Sequence, residues 1–132
     1  MPISYTDSIV PPVETVAALF DNSGLKRPTG DLPRIQRMLD EGDLFVTAWD
    51  GDHLVGFARS LTDFCYCCYL SDLAVAKDFQ RKGIGKELIR LTKEKLGDQV
   101  MILLLAALTA EGYYEHIGFE YVKNGWIIPR KS

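Results

Sequence analysis

A short basic segment with two glycines, residues 80–86, carries the residue types and spacing expected of an anion site. It reads Gln80-Arg81-Lys82-Gly83-Ile84-Gly85-Lys86 and follows an apolar stretch that favours a strand. Backbone N–H groups in the first turn of a helix have no partners inside the helix, and the helix dipole adds partial positive charge there. Glycine removes the Cβ atoms that would keep a ligand away from those donors. The segment therefore predicts a binding site for a phosphate group.

Two common glycine signatures do not fit this segment. A Walker A loop would need glycine at the position of Gln80 and Ser or Thr at the position of Glu87. A dinucleotide fingerprint would need a third glycine at the position of Leu88. Taken alone, the segment is also compatible with a helix that begins at glycine and carries solvated lysines.

A second motif lies downstream, in residues 110–119. Its core is Tyr113-Tyr114-Glu115-His116-Ile117-Gly118-Phe119. Gly118 suits the left-handed residue that ends a helix, and Phe119 can begin a buried strand. An apolar run, residues 100–108, precedes this motif and is typical of a strand buried on both faces. The order is therefore strand, glycine loop, helix, strand and tyrosine helix.

Together the two motifs resemble the GNAT superfamily of N-acetyltransferases, with matching order and spacing along residues 44–129. The resemblance implies acetyl-CoA as co-substrate. It implies that the backbone of one strand segment pairs with the pantetheine, at Leu73, Ala74 and Val75. It implies that the following loop holds the pyrophosphate, through Gln80, Arg81, Lys82, Gly83, Ile84, Gly85 and Lys86.

The same resemblance implies a reaction and a proton donor. A primary amine attacks the thioester directly in a ternary complex, and a backbone N–H of the splayed strand stabilises the oxyanion. Tyr114 aligns with the family's general acid, which protonates the departing thiolate, whereas Tyr113 is expected to point elsewhere on the helix. Tyr114 is also compatible with a purely structural role, in which its ring only packs against neighbouring side chains.

The group that takes the proton of the amine is less clear. Counting back from Gln80 places Tyr69 where the histone acetyltransferases of the superfamily carry a glutamate. Asp63 and Asp72 are the nearest carboxylates and are candidates for attracting a cationic amine, or for relaying its proton through water. Either could instead be a solvated turn or edge-strand aspartate. Ala107 stands where many members have asparagine, so one contact is expected to be missing.

Composition sets broader limits. The 132 residues are 47% apolar and 25% charged, as in a single soluble domain, 1–132. The net charge of −3 argues against a general nucleic-acid binder, but residues 77–95 hold seven basic and three acidic groups, so this segment is +4 and the remainder −7. No signal or membrane-spanning pattern is present, so we expect a cytoplasmic protein that does not bind membranes. Three clustered cysteines, Cys65, Cys67 and Cys68, do not converge as metal ligands, and no metal is expected.

The periodicity and turn signals predict an α/β (α+β) domain. It has a GNAT-like central mixed, largely antiparallel sheet of about six to seven strands and about four helices, with strands 4 and 5 splayed. The predicted strands cover 3–6, 44–49, 54–61, 66–76, 99–106, 119–122 and 126–128. The predicted helices begin at Pro11-Pro12, after Asp31, at Ile84 and at Tyr113.

The function expected from the resemblance is N-acetylation of a small-molecule amine such as a polyamine or an aralkylamine. Two alternatives remain open at this stage. One is a non-catalytic acyl-CoA-binding sensor or scaffold, and the other is an acetyltransferase that acts on protein lysines or N-termini. A homodimer is compatible with either reading.

Overall fold

The computed structural model describes residues 2–106 and 111–131, in which one sheet is flanked by helices. The strands are β1 (Ser4–Thr6), β2 (Leu44–Asp50), β3 (His53–Thr62), β4 (Cys67–Val75) and β5 (Met101–Leu103). The α-helices are α1 (Val13–Ser23), α2 (Leu32–Glu41), α3 (Ile84–Leu96) and α4 (Glu111–His116). A single 3₁₀ turn, Lys77–Phe79, connects β4 to the glycine loop. None of the helices in the described ranges has the length and apolar character needed to span a bilayer.

The strands follow one another across the sheet in chain order, β1-β2-β3-β4-β5. The first three pairings are antiparallel, and β4 pairs with β5 in parallel. The β4–β5 pairing ends at Tyr69 and Leu103, while β4 continues to Val75. The two strands therefore separate there, as the predicted splay requires.

Helices cover both faces of the sheet, and two consecutive residues of β3 explain how. Phe57 faces α1, where its ring meets Phe20 edge-on at 5.7 Å between centroids. Gly56 faces α3, because a Cβ placed on it would lie 3.0 Å from a methyl carbon of Ile84. Since consecutive residues of a strand point to opposite faces, α1 and α3 pack on opposite sides of the sheet. Glycine at position 56 allows α3 to approach the sheet this closely.

β4 contains a bulge that breaks its register with β3. Arg59 pairs with Asp72 and Ser60 pairs with Leu70, so Ser71 is the extra residue. A bulge bends its strand and increases the local twist. It lies just before the part of β4 that leaves β5.

The strand count differs from the sequence expectation. The described residues form five strands and not six to seven, although the four α-helices agree. Residues 119–122 and 126–128, expected as a terminal hairpin, form no strand, and β5 is only three residues long. Apolar alternation favours a strand, but it does not determine whether the segment pairs with an edge of the sheet.

Candidate active site

The glycine loop presents a row of free backbone donors. The first backbone hydrogen bond of α3 runs from the Glu87 N–H to the Gly83 carbonyl at 3.0 Å. Among the described residues, none of the N–H groups of residues 81–86 donates a hydrogen bond. Arg81 and Gly83 both adopt left-handed backbone, with φ of 64° and 84°. Alternation of this kind turns successive N–H groups into one concave anion-binding surface.

Side chains from the surrounding protein hold this loop in place. The Gln80 side-chain amide donates to the Val75 carbonyl at 2.9 Å and to the Ser23 carbonyl at 3.2 Å. Asn22 accepts a hydrogen bond from the Lys77 N–H at 2.8 Å. Gln80, expected to complete the anion site, therefore joins the loop to β4 and α1. Asn22 carries no recognisable motif, so sequence reasoning missed it.

The basic groups of α3 divide into two sets. Those toward its C-terminus have protein partners: Arg90 pairs with Glu87 and Glu94, and Lys95 pairs with Asp7. Near the N-terminus, Arg81 and Lys86 form no ion pair with any described residue, and Lys82 lies 5.5 Å from the centre of the Phe79 ring. The free positive charge is therefore concentrated beside the unpaired N–H groups.

β4 offers a second set of free backbone groups next to this loop. Leu73, Ala74 and Val75 pair with β3 on one side. On the other side the pairing with β5 has already ended, so this edge has no strand partner among the described residues, although Gln80 occupies the Val75 carbonyl. The predicted pantetheine segment and the predicted pyrophosphate loop are thus consecutive parts of one open surface. An added extended chain could pair with that edge as a further strand would.

Tyr114 lies on α4 and lines a cavity of about 700 Å³ together with Tyr69. Its ring packs edge-on against Tyr113 and Phe119, with centroid distances of 5.2 and 5.5 Å. Burial, and secondarily the neighbouring Tyr113, raise the pKa of Tyr114 above its usual value of 10.0. The phenol is therefore protonated at neutral pH, as a proton donor must be. The structure brings Tyr69 and Tyr114 to one cavity, as their proposed roles require.

The adjacent Tyr113 points toward the glycine loop. A Cβ placed on Gly85 would lie 3.5 Å from the Tyr113 hydroxyl oxygen and 3.8 Å from a methyl carbon of Val75. This hydroxyl therefore lies between the free edge of β4 and the start of α3. Tyr113 has no predicted role from the sequence. Side chains of adjacent helical residues point in different directions, and the spacing of the tyrosine motif favours Tyr114.

Asp72 belongs to a buried charge cluster, which neither of the two sequence expectations for this residue included. Its side chain is fully buried, with one carboxylate oxygen bonded to Arg27 at 2.6 Å and the other bonded to Arg59. Arg27 also donates to the Ser71 carbonyl at 2.7 Å, and Arg59 to the Ser71 hydroxyl. These three charged residues hold the β4 bulge. A carboxylate with both oxygens occupied by arginines is a poor contact for an incoming amine.

Asp63 also has a local role that the sequence expectation did not include. One of its oxygens accepts backbone N–H bonds from Cys65, Tyr66 and Cys67, at 3.1, 2.9 and 3.1 Å. These bonds lower the pKa of Asp63 to about 2. The residue therefore closes the turn that leads into β4, and a carboxylate this acidic is a weak proton acceptor.

Two other carboxylates, Glu115 and Glu120, line the cavity that contains Tyr114. Sequence reasoning overlooked them, although Glu115 is the next residue in the tyrosine motif. Within the described ranges no group of three or more His, Cys, Asp or Glu side chains is arranged to hold a metal ion, and the three cysteines are unbridged. Ala107, where the family often has asparagine, lies outside the described residues.

A family model for the acetyltransferase (GNAT) domain matches residues 31–125. The chain belongs to this family. An N-acetyltransferase of Gracilaria tenuistipitata var. liui, ycf52, described as uncharacterised, is 34% identical over 68 residues. That match covers 50% of this chain, and the chain spans only 37% of the relative's length.

Solved structures share the fold. A Staphylococcus aureus protein described as a probable acetyltransferase has a TM-score of 0.83 at 24% identity, over 98% of this chain and 100% of that chain. A GNAT-family acetyltransferase from Streptococcus pneumoniae has a TM-score of 0.77 at 24% identity, over 99% and 100%. AAC(6')-Iy, solved with the bisubstrate analogue CoA-S-monomethyl-acetylneamine, has a TM-score of 0.71 at 14% identity, over 100% of both chains.

Proposed function

We propose that this protein transfers an acetyl group from acetyl-CoA to a primary amine of a small-molecule acceptor, in a ternary complex. The observation that carries the proposal is the run of backbone N–H groups without partners in residues 81–86, next to the open edge of β4. Membership of the GNAT acetyltransferase family supports acetyl transfer as the chemistry. The structural neighbour solved with a CoA-containing analogue supports CoA as the donor's carrier.

Acetyl-CoA fits the chemistry of this surface. Its pyrophosphate requires hydrogen-bond donors and positive charge, which the loop supplies through residues 81–86 and the side chains of Arg81 and Lys86. Its pantetheine amides require backbone partners, which the edge of β4 at Leu73, Ala74 and Val75 supplies, apart from the Val75 carbonyl that Gln80 occupies. Gln80 keeps these two parts in register through its bond to Val75.

The reaction forms one bond and breaks one bond. The neutral amine attacks the thioester carbonyl carbon, giving a tetrahedral oxyanion that a backbone N–H of β4 stabilises. The C–S bond then breaks as the amide is completed, and the thiolate takes a proton from the hydroxyl of Tyr114, which regains a proton from solvent before the next turnover. The proton of the amine passes to solvent through a carboxylate or water. No covalent intermediate on the protein is required.

The acceptor that suits the cavity is a cation with an apolar or aromatic body. Tyr69, Tyr114 and Trp126 provide aromatic surface, while Glu115 and Glu120 provide negative charge. Since primary amines are mostly protonated at neutral pH, these carboxylates favour their approach. We therefore assign the attraction of the amine to Glu115 and Glu120 in place of Asp63 and Asp72.

The donor site is tested by comparing two glycines at the two ends of α3. Gly83 and Gly97 both have left-handed φ, 84° and 86°, and both face open space. Gly97→Glu strains the backbone more than Gly83→Glu does, because the ψ of −179° at Gly97 belongs to a region that essentially only glycine occupies, whereas the ψ of 4° at Gly83 is left-handed helical. Only Gly83→Glu places a negative charge at the proposed pyrophosphate site. Acetyl-CoA at 100 times its dissociation constant stabilises the native state by about 2.7 kcal/mol. We expect acetyl-CoA to raise the melting temperature of the wild type and of Gly97→Glu, and to leave the melting temperature of Gly83→Glu unchanged.

A non-catalytic acyl-CoA-binding role is the second candidate. Asp63 and Asp72 are both used in structural contacts. Neither is therefore positioned to accept the proton of the amine, and this favours the binding role. Acetyl-CoA consumption, measured across a panel of polyamines, aralkylamines and a lysine peptide, separates the two. Stabilisation by acetyl-CoA without turnover on any amine would favour the binding role, and absence of stabilisation in the wild type would contradict both.

A further inference from the structure

The charge cluster at the β4 bulge carries one more positive than negative charge. Arg27 and Arg59 both pair with Asp72, so the cluster holds two guanidinium groups and one carboxylate, a net charge of +1. The Asp72 side chain is 0% exposed, that of Arg59 8% and that of Arg27 26%. None of the ion pairs among the described residues brings a second carboxylate to either arginine. Buried charge is screened far less than charge in solvent, so this surplus acts on its surroundings.

The cluster lies close to the place where the thioester of a bound donor is expected. A donor whose pyrophosphate lies at residues 81–86 and whose pantetheine runs back along residues 75–73 brings its thioester toward Ser71. Arg27 donates to the Ser71 carbonyl at 2.7 Å. Ser71 lies two residues before Leu73, about 7 Å along a strand that rises about 3.3 Å per residue. The surplus charge therefore lies within roughly 10 Å of the reacting carbonyl carbon.

The reaction needs a neutral amine, and primary amines are mostly protonated at neutral pH. Neither candidate carboxylate is free to take the proton, because Asp63 accepts three backbone N–H bonds and Asp72 is bonded to two arginines. A nearby charge of like sign disfavours the protonated form of an amine. We propose that the surplus positive charge at the bulge expels the proton of the bound ammonium group to water and so takes the place of a general base. This proposal rests on the function proposed above.

Protons and electrons balance without a base on the protein. The ammonium group releases one proton to water, and the nitrogen lone pair then forms the C–N bond with the thioester carbon. The nitrogen loses a second proton as the C–S bond breaks and its electron pair leaves on sulfur. The thiolate takes a proton from Tyr114, which is reprotonated from solvent, so each turnover releases one proton in total.

Other titratable groups around this point come from β4, α4 and the residues after α4. They are Tyr69, Tyr113, Tyr114, Glu115 and Glu120. Burial raises the pKa of Tyr113 and of Tyr114, so both are uncharged at neutral pH. The two glutamates are exposed, and water screens their effect on the amine more strongly than it screens the buried cluster. The loop cations, Arg81 and Lys86, are offset by the pyrophosphate that they hold. The glutamates therefore attract the ammonium ion, and the cluster removes its proton where it reacts.

The pH dependence of kcat tests this effect with three variants. Arg27→Gln removes the positive charge, Arg27→Lys retains it without the same hydrogen bonds, and Lys26→Gln removes an exposed charge from the adjacent residue. With chemistry limiting the rate and both substrates saturating, kcat follows the neutral fraction of the bound amine. Loss of one charge at about 10 Å, in an effective dielectric of about 20, raises the pKa of the amine by about 1. Arg27→Gln should therefore move the profile to higher pH and lower kcat about 10-fold at neutral pH, while the other two variants stay close to the wild type.

A pair of acceptors separates proton removal from stabilisation of the oxyanion. In the aminooxy analogue of an alkylamine, oxygen replaces the CH₂ group next to nitrogen, and the amine is then already neutral at neutral pH. Attack by a neutral amine creates no net charge, so the cluster should act little on that step. Arg27→Gln should lower kcat about 10-fold for the alkylamine but less than about 2-fold for the aminooxy analogue. Equal losses for both acceptors would show that Arg27 acts on the oxyanion or on the fold, and the proposal would be wrong.

The wild type alone gives a further test that does not depend on how well a variant folds. Its kcat should titrate with an apparent pKa at least about 1 below that of the free alkylamine. A wild-type profile that follows the free amine would overturn the proposal, as would equal shifts in Arg27→Gln and Arg27→Lys or in Arg27→Gln and Lys26→Gln. Each of these results leaves acetyl transfer itself intact. A wild type that is stabilised by acetyl-CoA but turns over no amine would instead contradict the proposed function.

Discussion

The β4–α3 region, residues 67–96, and the C-terminal region, residues 111–131, differ in whether backbone groups or side chains form their exposed surface. In the first, buried side chains fix the framework and the backbone is left free to bind. Asp72 with its two arginines holds the bulge, and Gln80 holds the loop, while the N–H groups of residues 81–86 have no partner among the described residues. In the second, large apolar side chains are exposed, and residues 119–131 form no strand.

This difference corresponds to the substrate that we propose for each region. The proposed acetyl-CoA surface is made by backbone groups on a framework that buried side chains hold. The proposed acceptor cavity has a wall formed in part by Tyr121, Val122, Trp126 and Ile127, whose side chains are exposed. We therefore expect substitution of these exposed side chains by Ala to change the KM for the acceptor more than the KM for acetyl-CoA.

Within the β4–α3 region, Asp72→Asn should have the largest effect on the free energy of unfolding. Removal of the charge leaves Arg59 buried beside a weaker partner, and loss of one member of a buried ion pair typically costs about 3–5 kcal/mol. The free energy of unfolding, measured by urea denaturation, should fall by about that amount. Glu94→Gln, which breaks an exposed pair with Arg90, is the control and should change it little. Equal effects from both substitutions would show that the cluster does not hold the bulge.

Tyr114→Phe should give the largest effect on turnover. It keeps the ring against Phe119 and deletes only the hydroxyl, so loss of a general acid should lower kcat by about 10²- to 10⁴-fold. The KM for acetyl-CoA should change little, since the proton moves only as the C–S bond breaks. Tyr121→Phe, in the same cavity, is the control. If Tyr114→Phe kept wild-type kcat with chemistry limiting the rate, Tyr114 would be a packing residue.

Tyr113→Phe should produce the complementary and smaller effect. Its hydroxyl lies beside Gly85 and Val75, where a bound donor would pass, and one hydrogen bond contributes about 0.5–1.5 kcal/mol. Acetyl-CoA should therefore bind about 2- to 10-fold more weakly, while kcat is nearly unchanged. Titration calorimetry gives the affinity and steady-state kinetics gives kcat. If Tyr113→Phe lowered kcat without weakening acetyl-CoA binding, Tyr113 and not Tyr114 would be the general acid.

The smallest effect concerns the turn that leads into β4. The pKa of Asp63 in the folded protein, about 2, lies below its value of about 3.9 in an unfolded chain. The carboxylate therefore contributes stability above about pH 4, and this contribution is lost as the pH falls toward 2. Asp63→Asn should remove that part of the acid dependence, as followed by thermal unfolding between pH 2 and 6. Parallel curves for the two proteins would contradict the assignment.

The parts of the fold that sequence predicted well are those set by neighbouring residues. α3 begins at Ile84, as expected, because Gly83 precedes its first turn, and it ends at Leu96, just before Gly97. The β2–β3 hairpin follows from its turn and flanking apolar runs. The splay of β4 from β5 is present as the family resemblance implied.

The differences between expectation and structure share one origin. Apolar alternation in residues 119–128 predicted two strands, but a strand also requires pairing with an edge, and these residues make no such pairing with the described strands. The same limit applies to Asp63, whose carboxylate is used by the turn that follows it. Neither pattern carries information about which partner a residue will meet.

The sequence by itself determined the local chemistry: a glycine-opened basic helix, a tyrosine motif and the strands between them. These depend on backbone preferences and side-chain periodicity within a few residues, which can be read along the chain. The tertiary structure decided the rest. Arg27 meets Asp72 from 45 positions away, and the Tyr113 hydroxyl lies beside Gly85, which belongs to a different helix. Such contacts depend on how separate elements pack, and local sequence does not encode that arrangement.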